Sequence, residues 1–460
     1  MATFVAAVTP LNAGGFAVAQ QGAKASGRGG AFASQADDAS LAFYNPAAAT
    51  WLQGWHVYLG GGLQSQETSF APASGGSVEM QPSGQSLGSL YLTGSLGDRF
   101  AIAFASLRPY GLRTHWFASD PVATSALKTS WDSLELNLSF ACKVNDRWSL
   151  AVGLAHLRFL VEDFSRAYNI VSLEPFLAGP LPPPPQENIT LAGNRVGMNA
   201  AVHYREEGGY RLGLSFRSQI IVRMDGRLRW SEVAETPAFI PSARPLDKSG
   251  CLPDLNGVPG TIYCPLGSAF TDSKVNSTRG RTIVTRFRNT TFVLPATVQV
   301  GFGRDGQGRW DWEGDLLWTK WSKFDSIDIF VEKYAGISSG FATRFTTFDT
   351  NLQENWRDTF SLHGGADYHL DDHHTLRFGI AYDPSPIKDR YVRPYQPDAD
   401  KLGLTGGYGW RGLGGQVAAD LFVQLWLYDQ REATGGPPLA LQGSYQTTAI
   451  AAGGAVQFRF

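Results

Sequence analysis

The segment DYHLDDHH holds the densest group of side chains that could perform chemistry. It contains Asp367, His369, Asp371, Asp372, His373 and His374. Imidazole and carboxylate groups bind transition metals, and the same pair performs general acid–base catalysis. The segment stands, however, where one strand-like stretch ends and the next begins. We therefore interpret it as a solvated polar turn, and we predict neither a metal nor a cofactor.

The three cysteines are too few for a disulfide framework. Cys251 and Cys264 enclose a polar stretch rich in glycine and proline, CLPDLNGVPGTIYC. In an oxidising compartment they would pair and clip this loop, whereas in the cytosol they would be free thiols. Cys142, in LSFACKV, is typical of a strand. Because no zinc-spaced cysteine set and no H-E-x-x-H motif occurs, we do not expect an enzyme.

Composition excludes two large classes of protein. The 460 residues carry a net charge of −2 and only 17% charged side chains, with no dense Lys/Arg run, which argues against nucleic-acid binding. No window approaches the roughly 18 consecutive apolar residues of a spanning helix. A membrane protein built from strands is still compatible with this composition, because lipid-facing and lumen-facing residues alternate along each strand.

Alternation with a period of two dominates the chain. In WDSLELNLSF one face carries Leu134, Leu136, Leu138 and Phe140, and the other carries Glu135, Asn137 and Ser139. GQVAADLFVQLWLY, YRLGLSF and HTLRFGIAY repeat this pattern, and the final AVQFRF does so too. Such alternation predicts strands that have one apolar and one polar face.

Short and long connections between these strands alternate strictly. Short turns lie at 95–100, 143–148, 204–210, 303–310, 369–374 and 409–415; longer stretches lie near 65–85, 110–130, 165–188, 231–281, 333–342, 388–400 and 431–444. The count gives about fourteen strands with short turns on one rim and long loops on the other. This layout is typical of bacterial outer-membrane barrels. A soluble propeller is the alternative, but no repeat of blade length occurs.

Both ends of the chain fit export to an outer membrane. Residues 1–13, MATFVAAVTPLNA, resemble the latter part of a secretory signal with cleavage after Ala13. The basic region that should precede them is missing, which suggests a truncated start. At the other end Phe458 and Phe460 form an alternating aromatic terminus, which we interpret as the signal for the barrel-assembly machinery.

The residues from Gly14 onwards resemble a known family. GGFAVAQQGAKASGRGGAFASQADDASLAFYNPA combines a Gly-Phe start, a Gly-Arg step, an Ala-Asp-Asp-Ala run and Asn-Pro-Ala. Further matches follow in order: YGLRTHW, FVLPATVQVGF, DLLWTKWSKF and NWRDTFSLHGGADYHLDDHHTLRFGIAYDPSPI. The sequence resembles the FadL-type outer-membrane transporters of long-chain fatty acids and other hydrophobic compounds, and the resemblance covers nearly the whole chain.

The resemblance implies an all-β transmembrane antiparallel barrel of about fourteen strands, residues 51–460, with a small hatch, residues 14–50, plugging its lumen. Proline lacks the N–H that a strand ladder needs, and it also restricts the preceding residue. YNPA therefore fits a rigid corner between hatch and wall. An ordinary turn before the first strand is the other interpretation of this tetrapeptide.

The resemblance also implies a route for the ligand. The third and fourth long loops, 165–188 and 231–281, would capture it, and a pocket against the start of the hatch would then hold it. Phe16 would contact the ligand there, and Arg166 stands near a family arginine that binds a carboxylate. The hatch residues Asn45, Pro46 and Ala47 would abut a kink in the third strand. A lateral opening is expected at this kink, at Ser106, Pro109, Tyr110 and Gly111.

We accordingly predict a monomeric, passive transporter in the outer membrane of a Gram-negative bacterium, among lipopolysaccharide, without nucleic-acid partners. Long-chain fatty acids are the first candidate substrates, and uncharged aromatic or aliphatic hydrocarbons are the alternative. Arg211, Arg217 and Arg377 are expected to be solvated or paired across the barrel. An outer-membrane enzyme and a general porin are the rival functions, and a porin would need an open lumen.

Overall fold

A computed structural model describes residues 14–18, 20–82, 85–167, 186–231, 252–253, 262–263, 282–305, 308–335, 348–435 and 441–460. Fourteen antiparallel strands close into a barrel, as predicted. The first seven are β1 (Trp55–Pro72), β2 (Gln85–Leu96), β3 (Phe100–Leu107 and Gly111–His115), β4 (Lys128–Lys143), β5 (Trp148–Ala167), β6 (Gln186–Arg205) and β7 (Tyr210–Arg217 and Ile220–Ser231). The others are β8 (Thr282–Leu294 and Thr297–Arg304), β9 (Trp310–Thr319 and Ser326–Ala335), β10 (Phe348–Gln353 and Thr359–His369), β11 (His374–Asp383), β12 (Lys401–Gly412), β13 (Val417–Tyr428) and β14 (Gly443–Arg459).

The barrel closes between its first and last strands. The β1–β14 ladder runs from the pair His56↔Arg459 to the pair Pro72↔Gly443. Four shorter strand pieces occur in the described residues. Val78–Glu79 pairs with β1 and Arg431–Ala433 pairs with β14, whereas Leu252–Pro253 and Ile262–Tyr263 pair with each other in a separate small sheet. The six short predicted turns fall on one rim. Phe458 and Phe460 are exposed at the closing seam, and their role in assembly stays a prediction.

The two faces of the strands have opposite chemistry. On β4 the side chains of Leu134, Leu136, Leu138 and Phe140 are 41–58% exposed, whereas Glu135, Asn137 and Ser139 are buried inside the barrel. A fold surrounded by water would bury the leucines and expose the glutamate. This reversed pattern is explained by a lipid environment around the barrel. None of the helices in the described residues is long and apolar enough to cross a membrane.

Four neighbouring strands are interrupted at similar heights. The breaks fall at 218–219 in β7, 295–296 in β8, 320–325 in β9 and 354–358 in β10. Pro295 accounts for the β8 break, because proline donates no ladder hydrogen bond. β7 and β9 are thus each composed of two strand pieces. The β9 and β10 breaks carry Trp321, Phe324 and Trp356, which are all buried.

The residues before β1 fill the lumen. They form α1 (Ala23–Gly27), α2 (Leu41–Tyr44) and a 3₁₀ helix (Pro46–Trp51). Asn45 begins the 3₁₀ helix, since its side chain accepts a hydrogen bond from the Ala47 amide at 3.2 Å, and proline is suited to the first helical position. We call residues 20–51 the hatch body and residues 14–18 the leading segment.

Candidate functional site

Phe16 of the leading segment is fully buried at the centre of a group of aromatic rings. Seven ring centroids lie 5.1–6.2 Å from that of Phe16: those of Tyr110, Trp131, Phe159, Phe292, Trp321, Phe324 and Trp356. We call these eight residues the aromatic cluster. Most of these pairs are tilted or edge-to-face, which is the arrangement that aromatic quadrupoles favour. The cluster is therefore an apolar binding site that the protein's own Phe16 occupies.

An apolar cavity of about 30 Å³ adjoins the cluster. Its lining residues are Trp131, Val161, Phe164, Ile189, Leu191, Phe292, Ile327, Leu352 and Tyr395. A space of this size holds a few water molecules, so it is small for a hydrophobic ligand. Phe16 is the member of the cluster contributed by the leading segment rather than by the wall.

A buried acid, Glu354, supports two of the rings that surround this space. It is 1% exposed and accepts hydrogen bonds from Trp356 Nε1, at 3.0 Å, and from the Tyr395 hydroxyl. Burial raises the pKa of Glu354 to about 7, although the Tyr395 hydrogen bond and Arg393 oppose the shift. Glu354 lies in the β10 interruption, between the two strand pieces. Trp356, a member of the cluster, thus has a carboxyl group as its hydrogen-bond partner.

The lumen arginines are paired, as expected. Arg217 bonds Glu135 and places its guanidinium 4.8 Å from the Phe43 ring centroid. Arg211 pairs with Asp305, and Arg377 lies 2.7 Å from Asp420. Because each arginine already has a carboxylate partner, none of the three presents an uncompensated charge to a ligand.

Arg166 occupies the outer end of β5, where it pairs in register with Glu187 of β6. It is partly buried, and it is not among the residues that line the apolar cavity beside the cluster. The ligand-binding role of either residue stays a prediction.

The third strand breaks where the sequence suggested. The β2–β3 ladder ends at the pair Leu90↔Ser106, and Gly111–His115 pairs with β4 alone. Between these points the backbone turns inward to the leading segment. The Val18 amide donates to Pro109 O at 2.8 Å, and the Gly111 amide donates to Phe16 O at 3.0 Å.

This break leaves an opening in the hydrogen-bonded wall. In the part of the chain that the structure describes, no ladder pair joins residues 85–89 to residues 107–114. The opening is closed again further out, where the Gln81 amide donates to His115 O at 2.7 Å. We call it the window. A cavity on its inner side is lined by Gly88, Ser89 and Arg108 from both edges and by residues of the hatch body.

Asn45, Pro46 and Ala47 make no hydrogen bond to residues 106–111 in the described part of the chain. The side-chain amide of Asn45 donates to Ala33 O, at 2.9 Å, and to Val202 O of β6, at 3.0 Å. Ser149 of β5 donates to Ala47 O at 2.8 Å. The hatch residues hydrogen-bonded to the break are instead Phe16 and Val18. The gating role predicted for Asn45, Pro46 and Ala47 stays a prediction.

Carboxylates on the wall hold the hatch body. Asp315 Oδ2 accepts the amides of Phe32 and Ala33, both at 3.0 Å. Glu313 accepts the next two amides, from Ser34 and Gln35. Four successive backbone donors are thus satisfied by two side chains of β9. The sequence analysis missed both acids, although their period-two spacing marks them as lumen-facing.

Asp367 corrects part of the first interpretation of DYHLDDHH. It is not in the solvated turn but 1% exposed within β10, where it accepts a 2.5 Å hydrogen bond from Arg28 of the hatch body. His369 lies 2.8 Å from Asp311. The solvated turn comprises 370–373, where the His373 and His374 amides donate to Asp371 and lower the pKa of this carboxyl.

Three features of the sequence are short serine-hydrolase-like motifs, the cysteine pair and the predicted capture loops. GQSLG at 84–88 matches the G-x-S-x-G pattern of serine hydrolases, but Ser86 lies within β2 and not on the strand-to-helix turn that such a nucleophile needs. A second match, GISSG at 336–340, lies outside the described residues. So do Cys251 and Cys264 and most of the two predicted capture loops.

Curated relatives share the sequence over much of its length. The long-chain fatty acid transport protein of Escherichia coli (strain K12) is 24% identical over 398 residues, 83% of this chain and 81% of that protein. That of Shigella flexneri is 24% identical over 394 residues with the same coverage. That of Escherichia coli O6:H1 is matched over 69% of this chain and 64% of its own length.

Solved structures share the fold. A Pseudomonas aeruginosa FadL homologue superimposes with a TM-score of 0.72 at 19% identity, covering 97% of this chain and 100% of that one. The P. putida toluene transporter TodX gives 0.68 at 13% identity, covering 96% and 99%. The model of the family described as "Outer membrane protein transport protein (OMPP1/FadL/TodX)" matches residues 3–460. The chain therefore belongs to this family and is a β-barrel protein of the bacterial outer membrane.

Proposed function

We propose that the protein takes up hydrophobic molecules passively across the outer membrane and releases them sideways through the window. One observation carries this proposal: Phe16 sits in the aromatic cluster while its backbone is bonded to the break that forms the window. Displacement of Phe16 by a ligand would therefore loosen both bonds at the break. Binding in the cluster and opening of the wall are coupled through a single residue.

The alternative exit, straight through the lumen, is obstructed by the hatch body. The cavity on the far side of the leading segment has a volume of about 70 Å³, and its lining combines apolar residues such as Tyr110 and Trp321 with polar ones such as His363. Beyond this cavity the backbone amides of the hatch body are held by Glu313 and Asp315 of the wall. Sideways release keeps the molecule in apolar surroundings.

Two substrate classes are candidates. Long-chain fatty acids are supported by the names of the curated relatives. Uncharged aromatic molecules are supported by the aromatic cluster itself and by Glu354, whose ionised form would repel a carboxylate. The lumen arginines Arg211, Arg217 and Arg377 support the same choice, because each of them already pairs with a carboxylate of the protein. Among the described residues, the geometry therefore favours the uncharged class, and the outer loops would supply the initial capture site.

A pair of binding measurements separates these classes. We expect toluene to bind the purified protein more tightly than decanoate at pH 8, as measured by tryptophan fluorescence. Glu354→Gln retains the volume and one of the two acceptor oxygens, and the Tyr395 hydroxyl can accept from the new amide. Because the charge is removed, the variant should bind decanoate about tenfold better and leave toluene binding unchanged. A preference for decanoate in the unmodified protein would favour the fatty-acid class.

Lateral release is tested by straightening the break. In the variant Pro109→Val with Gly111→Val, the third strand regains a ladder donor and loses its flexible residue. We expect uptake of labelled substrate by cells to be abolished while the barrel still assembles, judged by its heat-modifiable mobility on gels. Pro121→Val, in the loop after β3, is the matched control. Normal uptake by a folded straightened variant would refute lateral release.

A further inference from the structure

The lipid-facing wall of β5, β6 and β7 changes from apolar to basic along the strands. Exposed apolar side chains line its lower part: Leu150, Val152 and Leu154 on β5, Val196 and Met198 on β6, and Ile221 on β7. Above them the exposed side chains include His156 and Arg158 on β5, Asn194 on β6, and Arg223 and Arg227 on β7. We call Arg158, Arg223 and Arg227 the arginine face.

The arginine face begins at the outer edge of the membrane's apolar layer. The short turns mark the periplasmic rim of such a barrel. Arg158 lies ten residues beyond Trp148, where β5 leaves one of these turns. Ten residues of a strand tilted by about 40° rise about 25 Å along the membrane normal, which is the height of the apolar band. The headgroups of the outer leaflet therefore start at the level of Arg158.

Two of the arginines stand on either side of Asn194. Arg158 pairs in register with Asn194, and Met224, the residue after Arg223, pairs with Gly193. Neighbouring strands are about 4.8 Å apart, so the α-carbons of Arg158 and Arg223 are about 10 Å apart. Both guanidinium groups can therefore reach a single anion that lies over Asn194.

The protein does not neutralise these charges. None of the three side chains of the arginine face has a hydrogen-bond or ion-pair partner among the described residues. Glu162, further out on β5, is engaged by Arg113 at 3.7 Å and by Ser130 at 3.1 Å. Asp225 lies between Arg223 and Arg227 and has interactions of its own. Three arginines on this face thus stand against one aspartate.

The opposite wall of the barrel ends differently. On β11 the exposed Tyr382 donates a hydrogen bond to Asp400 at 3.3 Å, and Arg357 lies 3.8 Å from the same carboxylate. On β13 the exposed Leu427 is followed, two residues further out, by the exposed Asp429. The arginine face is therefore a local feature of one side of the barrel and not part of a continuous basic belt.

The backbone beside Asn194 also lacks part of its ladder. No ladder pair joins residues 194–198 of β6 to β7 within the described chain. Met198 is still bonded to Ser218 of β7, by two hydrogen bonds of 2.8 and 2.9 Å. Alternate residues of an antiparallel strand face the same neighbour, so the backbone groups of Asn194 and Val196 point into this interruption. Unpaired backbone groups are not tolerated in hydrocarbon, so a polar headgroup is suited to this place.

We propose that the arginine face binds the phosphate groups of lipopolysaccharide in the outer leaflet. Arg158 and Arg223 hold one phosphate over Asn194, and Arg227 holds a second one, about 13 Å further along β7. Guanidinium groups suit this task because their paired N–H groups match phosphate oxygens. The acyl chains pack on the exposed apolar side chains below. This site does not depend on which molecule the barrel transports.

Binding of purified lipids tests the proposal. Delipidated protein in detergent, with EDTA present to remove bridging cations, should bind lipid A with two phosphates more tightly than monophosphoryl lipid A, as measured by thermophoresis. Neither inorganic phosphate nor phosphatidylglycerol, at the same concentration, should displace it. Displacement by inorganic phosphate would reduce the arginine face to a general anion site. Equal affinity for phosphatidylglycerol would make it a general surface for acidic lipids. Either result would overturn the proposal.

Variants then assign the binding to the arginine face. Arg158→Gln with Arg223→Gln should weaken the binding of lipid A at least about tenfold, because each arginine near the headgroups adds to the attraction. Arg99→Gln with Arg147→Gln, exposed in short turns on the other rim, makes the same change of charge and should leave the affinity unchanged. Unchanged affinity in the first variant would overturn the assignment. Should that variant fail to assemble, Arg227→Gln decides, since it should abolish the preference for two phosphates.

Discussion

The hatch body and the leading segment occupy the same lumen but are held in different ways. Four backbone amides of the hatch body donate hydrogen bonds to Glu313 and Asp315, and the Arg28 side chain donates one to Asp367. The leading segment is held chiefly by ring contacts around Phe16, together with three hydrogen bonds donated by backbone amides. One region is thus fixed by charge-assisted hydrogen bonds, and the other by apolar packing.

This difference separates a fixed part from an exchangeable one. A buried charge-assisted bond is directional, and breaking it leaves an uncompensated charge. Apolar contacts are non-directional, so another apolar molecule can replace Phe16 and recover much of the lost packing. The hatch body is therefore suited to closing the lumen permanently, and the leading segment is suited to yielding to a ligand.

The largest expected effect comes from breaking the fixed part. Arg28→Ala removes the closest buried partner of Asp367, leaving Lys24 and Arg377 each 3.7 Å away, and it also removes the buried partner of Glu313, at a cost of about 5 kcal/mol. We expect a lower melting temperature and a conducting lumen, detected by thermal unfolding and single-channel recording. Arg309→Ala, in a short turn, is the control. A silent channel with unchanged stability would mean that the hatch body does not depend on this ion pair.

A smaller and more local effect is expected from the exchangeable part. Phe16→Ala removes the central ring of the aromatic cluster, at a cost of about 4 kcal/mol to the docking of the leading segment. Hydrogen exchange should accelerate at the amides of Val18 and Gly111 but not at those of Phe32 and Ala33. Phe117→Ala, half-exposed in a loop, is the control. Equal acceleration in the hatch body would remove the distinction between the two regions.

The hatch body should also respond to pH through Asp38. Burial raises the pKa of this carboxyl from 3.8 to about 6, so its folded form stays protonated where the unfolded form ionises. The stability it contributes is complete below pH 3.8 and is lost as the pH rises through about 6, by up to about 3 kcal/mol. Asp38→Asn should flatten this dependence in hydrogen exchange at pH 5 and 7. An unchanged slope would contradict it.

The smallest effect is expected far from both regions. His373→Ala with His374→Ala alters the turn after β10 and the first residue of β11, where His373 is exposed and His374 is partly exposed. Uptake and melting temperature should be unchanged within error, because exposed substitutions shift stability by about 0.5 kcal/mol or less. A loss of uptake would mean that the DYHLDDHH segment has a role in transport.

The wall could be predicted from the sequence because lipid imposes its pattern locally. Leu134, Leu136 and Leu138 alternate with polar residues whatever lies across the barrel. The length of each connection likewise indicates on which rim of the barrel it lies. The interior could not be predicted in this way. Asp367 looks like its neighbours in the turn, and nothing nearby indicates that Arg28, 339 positions away, is its partner.

The candidate site shows the same limit. Phe16 could be identified from the start of the hatch, but the rings around it come from six strands that meet only in the closed barrel. Glu354 gave no signal, because an isolated glutamate beside a tryptophan is ordinary in sequence. The break at Pro109 was visible, since proline in a strand requires an irregularity.

The height of the window has a consequence for the permeability barrier of the cell. Its lower edge, Ser106, is level with Leu136 of the lipid-facing surface. Lipid tails, not water, therefore face the gap. If the wall opens here as proposed, ions and hydrophilic antibiotics would still be retained, since neither dissolves in hydrocarbon. The membrane itself would then exclude polar solutes, in addition to the closure that Phe16 provides.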